Sequence, residues 1–511
     1  MFSKALSAAV NGIDGFIISV EADVSDGLPL FELVGYLGSE VREARERVRI
    51  SLKNSGYRLP AKRITINLSP ADIRKEGTAF DLPIAIAILT AFGYIPQENL
   101  EKTLMIGEVS LNGDINKVNG VLPIVYTALK QGFTRCIVPI GNVKEGAVVQ
   151  GIDVFGFKSI QEVVQFLNND TFSEPYFVDV EELFHREERQ DDLDFSDVTG
   201  QEIAKRAIEI AASGMHNILM VGPPGAGKTM LAKRIPTIMP ELSFEESLDI
   251  SKIYSVSGLL NNNQSLIQQR PFRSPHHTIT TAALAGGGRV PMPGEISLAH
   301  LGVLFLDEFP EFNRNTIEIL RQPLEENEVT IARLQGTYRY PADFMLVAAM
   351  NPCSCGYYPD RNKCNCSPNQ VKRYIGKISR PLLDRIDICI EALQVNYKDL
   401  ENKKPAEPSR DIRKRVMQAR NIQITRYKKE NFYFNSQLTP KTINQYCKLG
   451  KEEQKLLEIA YTKMNLSARA YHRILKVART IADLDDSEII RSKHLSEAIC
   501  YRSLDKKYWE E

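Results

Sequence analysis

The sequence lacks any long apolar run and any excess of one charge. No stretch reaches the ~20 apolar residues that a membrane-spanning helix needs. The opening MFSKALSAAVNGIDGF also lacks the basic end and long apolar segment of a signal peptide, so we expect a cytoplasmic protein without membrane contact. The 64 basic side chains equal the 64 acidic ones, so net charge gives no indication of a nucleic-acid partner.

Length and patterning predict an α/β multidomain protein. The 511 residues suit about three domains of roughly 100–200 residues. Residues 1–169 combine alternating strand-like stretches with the buried-helix stretch AFDLPIAIAILTAF, which predicts an α+β domain. Residues 170–197 contain eleven acids and two arginines and predict a solvated linker. Residues 198–395 predict an α/β domain with a parallel sheet, and residues 396–511 are helical in pattern.

The stretch NILMVGPPGAGKTMLAKRI contains the phosphate-binding motif G-x-x-x-x-G-K-T. An apolar strand precedes the motif and a helix-forming stretch follows it, which is the context that a P-loop requires. Lys228 is expected to reach the β and γ phosphates of ATP, and the Thr229 hydroxyl is expected to ligate Mg²⁺. The predicted nucleotide-binding residues are Gly222, Pro223, Pro224, Gly225, Ala226, Gly227, Lys228, Thr229 and Met230.

Two further apolar strands end in polar residues. GVLFLDEF ends in Asp307 and Glu308, and FMLVAAMN ends in Asn351. Because the carboxyl ends of parallel strands face the ligand crevice, we expect Asp307 to enter the Mg²⁺ shell and Glu308 to polarise the attacking water. Asn351 can orient that water or the γ-phosphate. A charged or polar strand end in solvent is the alternative for each residue.

Four of the eight cysteines crowd into NPCSCGYYPDRNKCNCSPN as two C-x-C pairs. In a cytoplasmic protein, clustered cysteines indicate a metal or catalysis before disulfides. Four thiolates can close a tetrahedral Zn²⁺ site, although C-x-C is tighter than the usual spacing. Free or redox-active thiols are the alternative. The candidate ligands are Cys353, Cys355, Cys364 and Cys366.

The order of the motifs resembles the magnesium-chelatase-like ComM/YifB family over nearly the whole chain. The motifs are DVTGQE, GPPGAGKT, RSPHHT, PGEISLAHLGVLFLDEFPEF, AAMNPCSCGYY, LLDRID and SARAYHRILKVARTIADL. The resemblance implies an AAA+ P-loop core with a cysteine-rich insert at 353–366, an all-helical C-terminal lid and a homohexameric ring. It also implies ATP-driven branch migration on single-stranded or branched DNA in homologous recombination and natural transformation, with recombination proteins as partners.

The same resemblance implies roles for three polar residues. Asn351 takes the sensor-1 position, and Arg385 matches an arginine finger that reaches into a neighbouring subunit's site. Arg469 matches the sensor-2 arginine that contacts the γ-phosphate. Solvated helix charges are the alternative for both arginines. The rival positions are Arg373 and Arg380 for the finger and Arg473 for sensor 2.

Two stretches are candidates for DNA contact. VTIARLQGTYRYP predicts a β-hairpin, where Arg333, Tyr338 and Arg339 could contact phosphates and stack on bases. The run RDIRKRVMQARNIQITRYKK (410–429) has eight basic residues and one acid, and could bind phosphates or form a solvated helix face. His276 and His277 adjoin each other, which favours a loop role near the nucleotide or a subunit interface over metal binding.

The first domain is similar to the Lon-type peptidase fold (ribosomal S5-type), but its catalytic positions are apolar. The match puts Ala79 at the nucleophile and Leu122 at the lysine, so we expect no peptidase activity and a role in oligomerisation or DNA guidance. Three alternatives for the whole protein stay open. They are a chelatase-type ATPase subunit that remodels a protein partner, an ATP-dependent protease and a regulatory nucleotide switch.

Overall fold

The computed structural model describes residues 1–185, 193–260, 265–333, 336–394, 406–430, 432–502, 504 and 508–509. The chain forms two compact units. The first comprises Met1–Glu187, Phe244–Gln268 and Thr330–Tyr340, and the second comprises Glu188–Ser243, Gln269–Val329 and Pro341–Glu511. Among the residues described, no helix has the length and apolarity needed to cross a bilayer.

The first unit is built on a mixed seven-stranded sheet. Its long strands alternate buried and exposed side chains, as in Arg63–Ser69, because one face packs on the core. Asp14–Ser25 pairs antiparallel with both of its neighbours, and the remaining pairs are parallel. The spatial order is Leu30–Val34, Arg63–Ser69, Asp14–Ser25, Phe2–Asn11, Thr103–Met105, Arg135–Pro139 and Asp153–Phe157.

Helices cover this sheet. Every residue of Asp81–Ala91 is buried, so the uniform apolar pattern that predicted a buried helix is confirmed. A small antiparallel pair joins Glu108–Val109 to Ile115–Asn116, and 3-10 turns occupy Gln97–Leu100 and Ile140–Asn142. The other helices of the unit are Ser39–Asn54, Val121–Lys130, Val143–Gly146, Ile160–Leu167, Val180–His185 and Phe244–Val256.

The described part of the acidic segment 170–197 is only partly solvated. The Tyr176 N–H donates to the Val154 carbonyl, and Val178 and Leu183 pack against the core of the first unit. Apolar side chains spaced among the acids explain this packing, since the charges can face water while the valines and leucine turn inward. Residues 186–192 lie outside the described part of the chain.

The second unit contains a five-stranded parallel sheet, as the alternation of apolar strands and helices predicts. The spatial order is Phe272–Arg273, Val303–Leu306, Met345–Met350, Ile218–Val221 and Ile388–Glu391. Val303–Leu306, Met345–Met350 and Ile218–Val221 are buried throughout. Continuous apolar runs of this kind are typical of parallel strands with both faces covered. All five strands run parallel, so their carboxyl ends lie along one edge.

Helices flank this sheet and form most of the described chain after residue 406. Gly286–Gly287 pairs with Met292–Pro293 in this unit. Glu328–Arg333 pairs with Gly336–Pro341, so the predicted hairpin is present, and most of its residues belong to the first unit. The 3-10 turns are Phe195–Asp197, Phe309–Glu311, Ile319–Arg321 and Asn435–Gln437. The helices are Glu202–Gly214, Lys228–Ile238, Thr281–Ala285, Glu295–Leu298, Arg314–Glu318, Pro323–Glu326, Pro368–Ile375, Arg380–Leu383, Ser409–Arg426, Pro440–Tyr446, Lys451–Lys463, Ala468–Leu484 and Ser492–Cys500.

A buried charge network ties the C-terminal helices together. Asp483, whose side chain is fully buried, accepts hydrogen bonds from Arg426 (2.9 Å), Arg479 (3.1 Å) and Asn435 (2.8 Å). Arg479 is itself 2% exposed. One carboxylate therefore pairs with two guanidinium groups from separate helices, and removing it would leave buried positive charge without this partner.

We predict that Asp483→Ala destabilises the second unit by about 3–5 kcal/mol, the usual cost of leaving a buried charge unpaired. The measurement is chemical denaturation followed by circular dichroism, with hydrogen exchange locating the loss to residues 409–500. Glu488→Ala is the matched control, because this side chain is exposed in the bend that follows the helix Ala468–Leu484 and should change stability by less than about 0.5 kcal/mol. Equal stability of the two variants would contradict the prediction.

Candidate nucleotide site and cysteine cluster

The phosphate loop connects the strand Ile218–Val221 to the helix Lys228–Ile238. Gly225 and Gly227 have φ of +75° and +77°, a left-handed conformation that side chains with a Cβ rarely adopt. At Gly222 a Cβ would lie 2.2 Å from the Ala392 carbonyl oxygen, so the neighbouring strand approaches too closely for any other residue. Each glycine of the motif is therefore required for its own steric reason: Gly225 and Gly227 for their left-handed φ, and Gly222 for the close approach of the Ala392 carbonyl.

Three hydrogen bonds hold the Lys228 side chain in place. Its Nζ donates to the carbonyl oxygens of Gly222 (2.6 Å) and Pro223 (2.9 Å) and to Asn351 Oδ1 (3.1 Å). Burial lowers the pKa of the ammonium, and the charge of Asp307 partly opposes that shift. The side chain thus points into the loop, where a bound phosphate would add negative charge beside the ammonium.

Thr229 and Asp307 lie in contact at the mouth of the loop. Thr229 Oγ1 donates to Asp307 Oδ2 at 2.6 Å, and the backbone N–H of Glu308 donates to Asp307 Oδ1 at 2.9 Å. A hydroxyl beside a carboxylate is an oxygen donor set that suits Mg²⁺. These two residues would hold the ion, and the ion would neutralise phosphate charge.

A cleft of about 410 Å³ lies at this edge of the sheet. The structure therefore brings the predicted nucleotide-binding residues together with both strand-end carboxylates and the strand-end amide. The described residues lining the cleft are Pro224, Gly225, Ala226, Gly227, Lys228, Thr229, Met230, Asp307, Glu308, Met350 and Asn351.

Glu308 has a partner that sequence reasoning did not assign. His277 Nδ1 lies 3.3 Å from Glu308 Oε2, and the His277 ring also contacts His276, with ring centroids 4.1 Å apart. Phe272–Arg273 pairs parallel with Val303–Leu306, so the RSPHHT loop leaves the sheet at the same edge as Glu308. That pairing is long-range, which is why the histidine motif alone could place His277 only near the nucleotide or an interface.

The two arginines implied by the family resemblance meet at one carboxylate. Arg385 is 4% exposed and forms an ion pair with Glu325, while its other nitrogens donate to the carbonyls of Arg321 and Pro381. Arg469 Nη2 lies 3.5 Å from the same Glu325 oxygen. Burial acts to raise the pKa of Glu325, but the hydrogen bond and the charge of Arg385 outweigh burial and lower that pKa. The described residues that line the cleft include neither arginine.

The rival arginines have different surroundings. Arg473 forms an ion pair with the buried Asp387, so its guanidinium neutralises a carboxylate of its own unit. Burial works against ionisation of Asp387, yet the charges of Arg473 and His216 lower its pKa. Arg380 Nη2 donates to the Trp509 carbonyl at 3.0 Å, and Arg373 is exposed on the helix Pro368–Ile375. Burial in this ion pair makes Arg473 a poorer γ-phosphate contact than Arg469, which is 57% exposed.

The stretches considered for DNA contact differ in how many charges they leave exposed. In the hairpin, Arg333 and Arg339 are exposed and Tyr338 is half-buried. In the basic run, several arginines contact other groups of the protein. These contacts favour a structural role for the helix over phosphate binding. Arg413 donates to the Thr237 carbonyl, Arg415 pairs with Glu209 and Glu407, Arg420 lies 3.6 Å from the Phe434 ring centroid, and Arg426 pairs with Asp483.

In the first unit the positions matched to a peptidase dyad lie in apolar surroundings. Leu122 is fully buried, and Ala79 packs against the same core cluster. Neither can supply a hydroxyl nucleophile or a base. The absence of peptidase activity stays a prediction.

The four cysteines converge although their chain spacing is unusual for a metal site. Cys353 Sγ lies 3.3 Å from Cys355 Sγ and 3.8 Å from Cys364 Sγ, and Cys355 Sγ lies 3.5 Å from Cys364 Sγ. All four sulfur atoms, including that of Cys366, lie within 4.8 Å of one another. A hydrogen bond from the Tyr357 backbone lowers the pKa of the Cys355 thiol, whereas burial raises the pKa of the neighbouring Cys364 thiol. The cluster could therefore hold a thiophilic ion such as Zn²⁺.

Comparison with known proteins gives matches along most of the chain. The family described as "Magnesium chelatase, subunit ChlI" matches residues 194–400, "Subunit ChlI of Mg-chelatase" matches 20–142, and "Magnesium chelatase, subunit ChlI C-terminal" matches 406–502. The magnesium-chelatase 67 kDa subunit of Chlorobaculum parvum is 25% identical over 206 residues, which is 40% of this chain and 27% of that protein.

Several proteins match at nearly full length, among them one from Haemophilus influenzae and one from Escherichia coli. Competence protein ComM of Haemophilus influenzae is 42% identical over 501 residues, 98% of this chain and 97% of that protein. YifB of Escherichia coli is 43% identical over 503 residues, 98% of this chain and 96% of that protein. The fold and the cleft define an AAA+ ATPase of the magnesium-chelatase-like class, for which ATP and Mg²⁺ are the expected cofactors. Within that class, the chain belongs to the ComM/YifB family.

We predict that Glu308→Gln leaves ATP binding intact and lowers ATP hydrolysis by roughly 10²–10⁴-fold, because the amide cannot accept a proton from the attacking water. The measurement pairs steady-state phosphate release with equilibrium binding of a fluorescent ATP analogue. Glu311→Gln serves as the control, because Glu311 lies on the adjacent 3-10 turn and pairs with Lys377. Unchanged hydrolysis in Glu308→Gln would exclude Glu308 as the base.

Proposed function

We propose that this chain is a ring-forming motor that hydrolyses ATP to move on DNA, acting as a branch-migration helicase in homologous recombination and natural transformation. The observation that carries the proposal is the assembly of Lys228, Thr229, Asp307, Glu308 and Asn351 around one cleft. Such a complete set favours hydrolysis over a passive nucleotide switch. The name of the Haemophilus influenzae relative, a competence protein, supports the connection with natural transformation.

The arrangement of Arg385, Glu325 and Arg469 supports a ring. A γ-phosphate needs positive groups beyond Lys228, and the described cleft of a single chain does not include these two arginines. Glu325 pairs with both arginines, so Arg385 and Arg469 lie together in the second unit but outside the described lining of its cleft. A neighbouring copy of the chain that brings its cleft to this place would receive both guanidinium groups, which is the geometry of an ATPase ring.

The hairpin supports DNA as the track. Its two exposed arginines and half-buried tyrosine (Arg333, Arg339 and Tyr338) combine the phosphate contact and aromatic surface used by proteins that follow single strands. We propose that the lack of a peptidase dyad leaves the first unit a guiding or assembly role. A cytoplasmic location suits these activities, since chromosomal and incoming DNA meet there.

A chelatase-type ATPase that remodels a protein partner is the second candidate. The similarity to the Chlorobaculum parvum magnesium-chelatase subunit favours it, but that match covers 40% of this chain. The matches to ComM and YifB cover 98%. The DNA motor therefore accounts for more of the chain.

We predict that forked or four-way DNA raises the ATP hydrolysis rate several-fold, and that Lys228→Ala abolishes hydrolysis with and without DNA. The double variant Arg333→Ala, Arg339→Ala should keep the basal rate while weakening DNA binding and flattening its salt dependence, because two phosphate contacts are lost. Phosphate release and fluorescence anisotropy at several salt concentrations measure these effects. If DNA neither binds nor stimulates, while a protein partner does, the chelatase-type candidate replaces the DNA motor.

A mixing experiment tests whether Arg385 acts on a neighbouring subunit. We predict that Arg385→Ala lowers hydrolysis by at least ~100-fold, as expected for an arginine finger, without unfolding the protein. Mixing it with Lys228→Ala subunits should restore part of the activity, because some interfaces then combine an intact phosphate loop with an intact arginine. Circular dichroism checks folding. Mixtures that stay as inactive as the separate variants would show that Arg385 serves its own subunit.

A further inference from the structure

We propose that the four-cysteine cluster binds a single Zn²⁺ ion and that this ion holds the phosphate loop in its nucleotide-binding form. The inference rests on the proposed ATPase function and adds a metal requirement to the binding step. Its basis is the place of the cluster, which is built from residues immediately after Asn351 and packs against the phosphate loop itself.

The sulfur positions match a tetrahedral ion. With Zn–S bonds of about 2.3 Å, the edge of a regular ZnS₄ tetrahedron measures about 3.8 Å. The sulfur separations of 3.3, 3.5 and 3.8 Å among Cys353, Cys355 and Cys364 lie at or just under that edge. A disulfide would bring one pair to about 2.05 Å and separate it from the others. Convergence of all four atoms favours a shared ion.

Burial and hydrogen bonding also favour a metal. Cys353, Cys364 and Cys366 are 0%, 5% and 9% exposed, and buried thiolates need a compensating positive charge. The Tyr358 N–H donates to Cys353 Sγ at 3.4 Å, and Ser354 Oγ lies 3.4 Å from Cys366 Sγ. Such donors orient thiolate ligands in structural metal sites.

The turn inside the cluster touches the phosphate loop. The Gly356 N–H donates to the Cys353 carbonyl at 3.0 Å, and Gly356 has a left-handed φ of +89°. A Cβ at Gly356 would lie 2.5 Å from Pro224 Cδ and 2.8 Å from Pro224 Cγ. Pro224 lies inside the G-x-x-x-x-G-K-T motif, so any shift of this turn presses directly on the residues that surround phosphate.

A residue shortly before the first cysteine pair contacts Lys228. Asn351, two residues before Cys353, accepts the 3.1 Å hydrogen bond from Lys228 Nζ. Gly356 and Asn351 are thus neighbours of the first two cysteines along the chain, and each contacts the phosphate loop. An ion that ties Cys353 and Cys355 to Cys364 and Cys366 would fix both contacts at once.

The first test measures metal and nucleotide on the same full-length protein. Purified without added metal, it should contain about one Zn²⁺ per chain by inductively coupled plasma mass spectrometry. Removal of Zn²⁺ by a chelator should weaken binding of a fluorescent ATP analogue by at least about tenfold, the equivalent of roughly one well-placed contact, and Zn²⁺ alone should restore it. Cys364→Ser, Cys366→Ser should contain no Zn²⁺ and bind the analogue as weakly as the chelated protein.

Substitution of glycine tests the contact with Pro224 while leaving the ligands intact. Gly356→Ala should keep one Zn²⁺ but weaken analogue binding, because the added Cβ displaces Pro224. Gly132→Ala is the matched control. Gly132 has a similar φ of +81° with no atom within 4 Å of its Cβ position, so it carries the same backbone strain and should bind the analogue normally.

The possible results distinguish the metal site, its link to the phosphate loop and the ATPase function. Protein without Zn²⁺ that binds the analogue at full strength would overturn the metal site. Protein with Zn²⁺ whose affinity survives chelation, or Gly356→Ala that behaves as Gly132→Ala, would overturn the link to the phosphate loop. Metal-replete wild type that fails to bind the analogue would instead overturn the proposed ATPase function, whereas failure of DNA stimulation would leave the metal inference standing.

Discussion

The nucleotide site depends on how the strand Ile218–Val221 pairs with its two neighbours. Its parallel register sets Val221 opposite Met350 on one side and opposite Glu391 on the other. The next residues then meet at one edge, where the Gly222 N–H donates to the Met350 carbonyl (3.1 Å) and the Ala392 N–H donates to the Val221 carbonyl (2.8 Å). A shift by one residue would move Asn351 away from Lys228, with which it forms a hydrogen bond in this register. Backbone hydrogen bonds of the sheet therefore fix the geometry of the chemistry.

Buried and exposed carboxylates of the second unit have different roles. The buried carboxylates Asp483 and Asp387 form ion pairs with arginines of their own unit and hold helices together. Glu325 differs because it is 45% exposed and shares its charge between Arg385 and the exposed Arg469. An exposed ion pair is weak and can exchange partners at little cost, whereas a buried one cannot. This difference makes the exposed Arg469, and not the 4% exposed Arg385, the member of the Glu325 group suited to exchanging its partner, and it makes the Asp483 group suited to holding structure.

Much of the second unit could be predicted from the sequence. The apolar strands, the phosphate loop and the carboxylates at the end of LFLDE are local patterns, and the structure contains each of them. The clustering of the cysteines indicated a metal or reactive thiols, although the C-x-C spacing is tight, and the sulfur atoms do converge. What could not be predicted were contacts between segments far apart in the chain, such as His277 with Glu308, Glu325 with both arginines, and Gly356 with Pro224.

The sequence by itself determined the class of the protein, because a P-loop needs glycines, lysine and threonine at set spacings after an apolar strand. It also determined which residues could act, since only certain side chains carry the necessary charges and ligand atoms. Only the tertiary structure decided which of them act together. It paired Arg473 with the buried Asp387, left Arg469 exposed beside Glu325, and used much of the basic run within the fold. The physical reason is that burial and pairing depend on long-range packing, which no local pattern specifies.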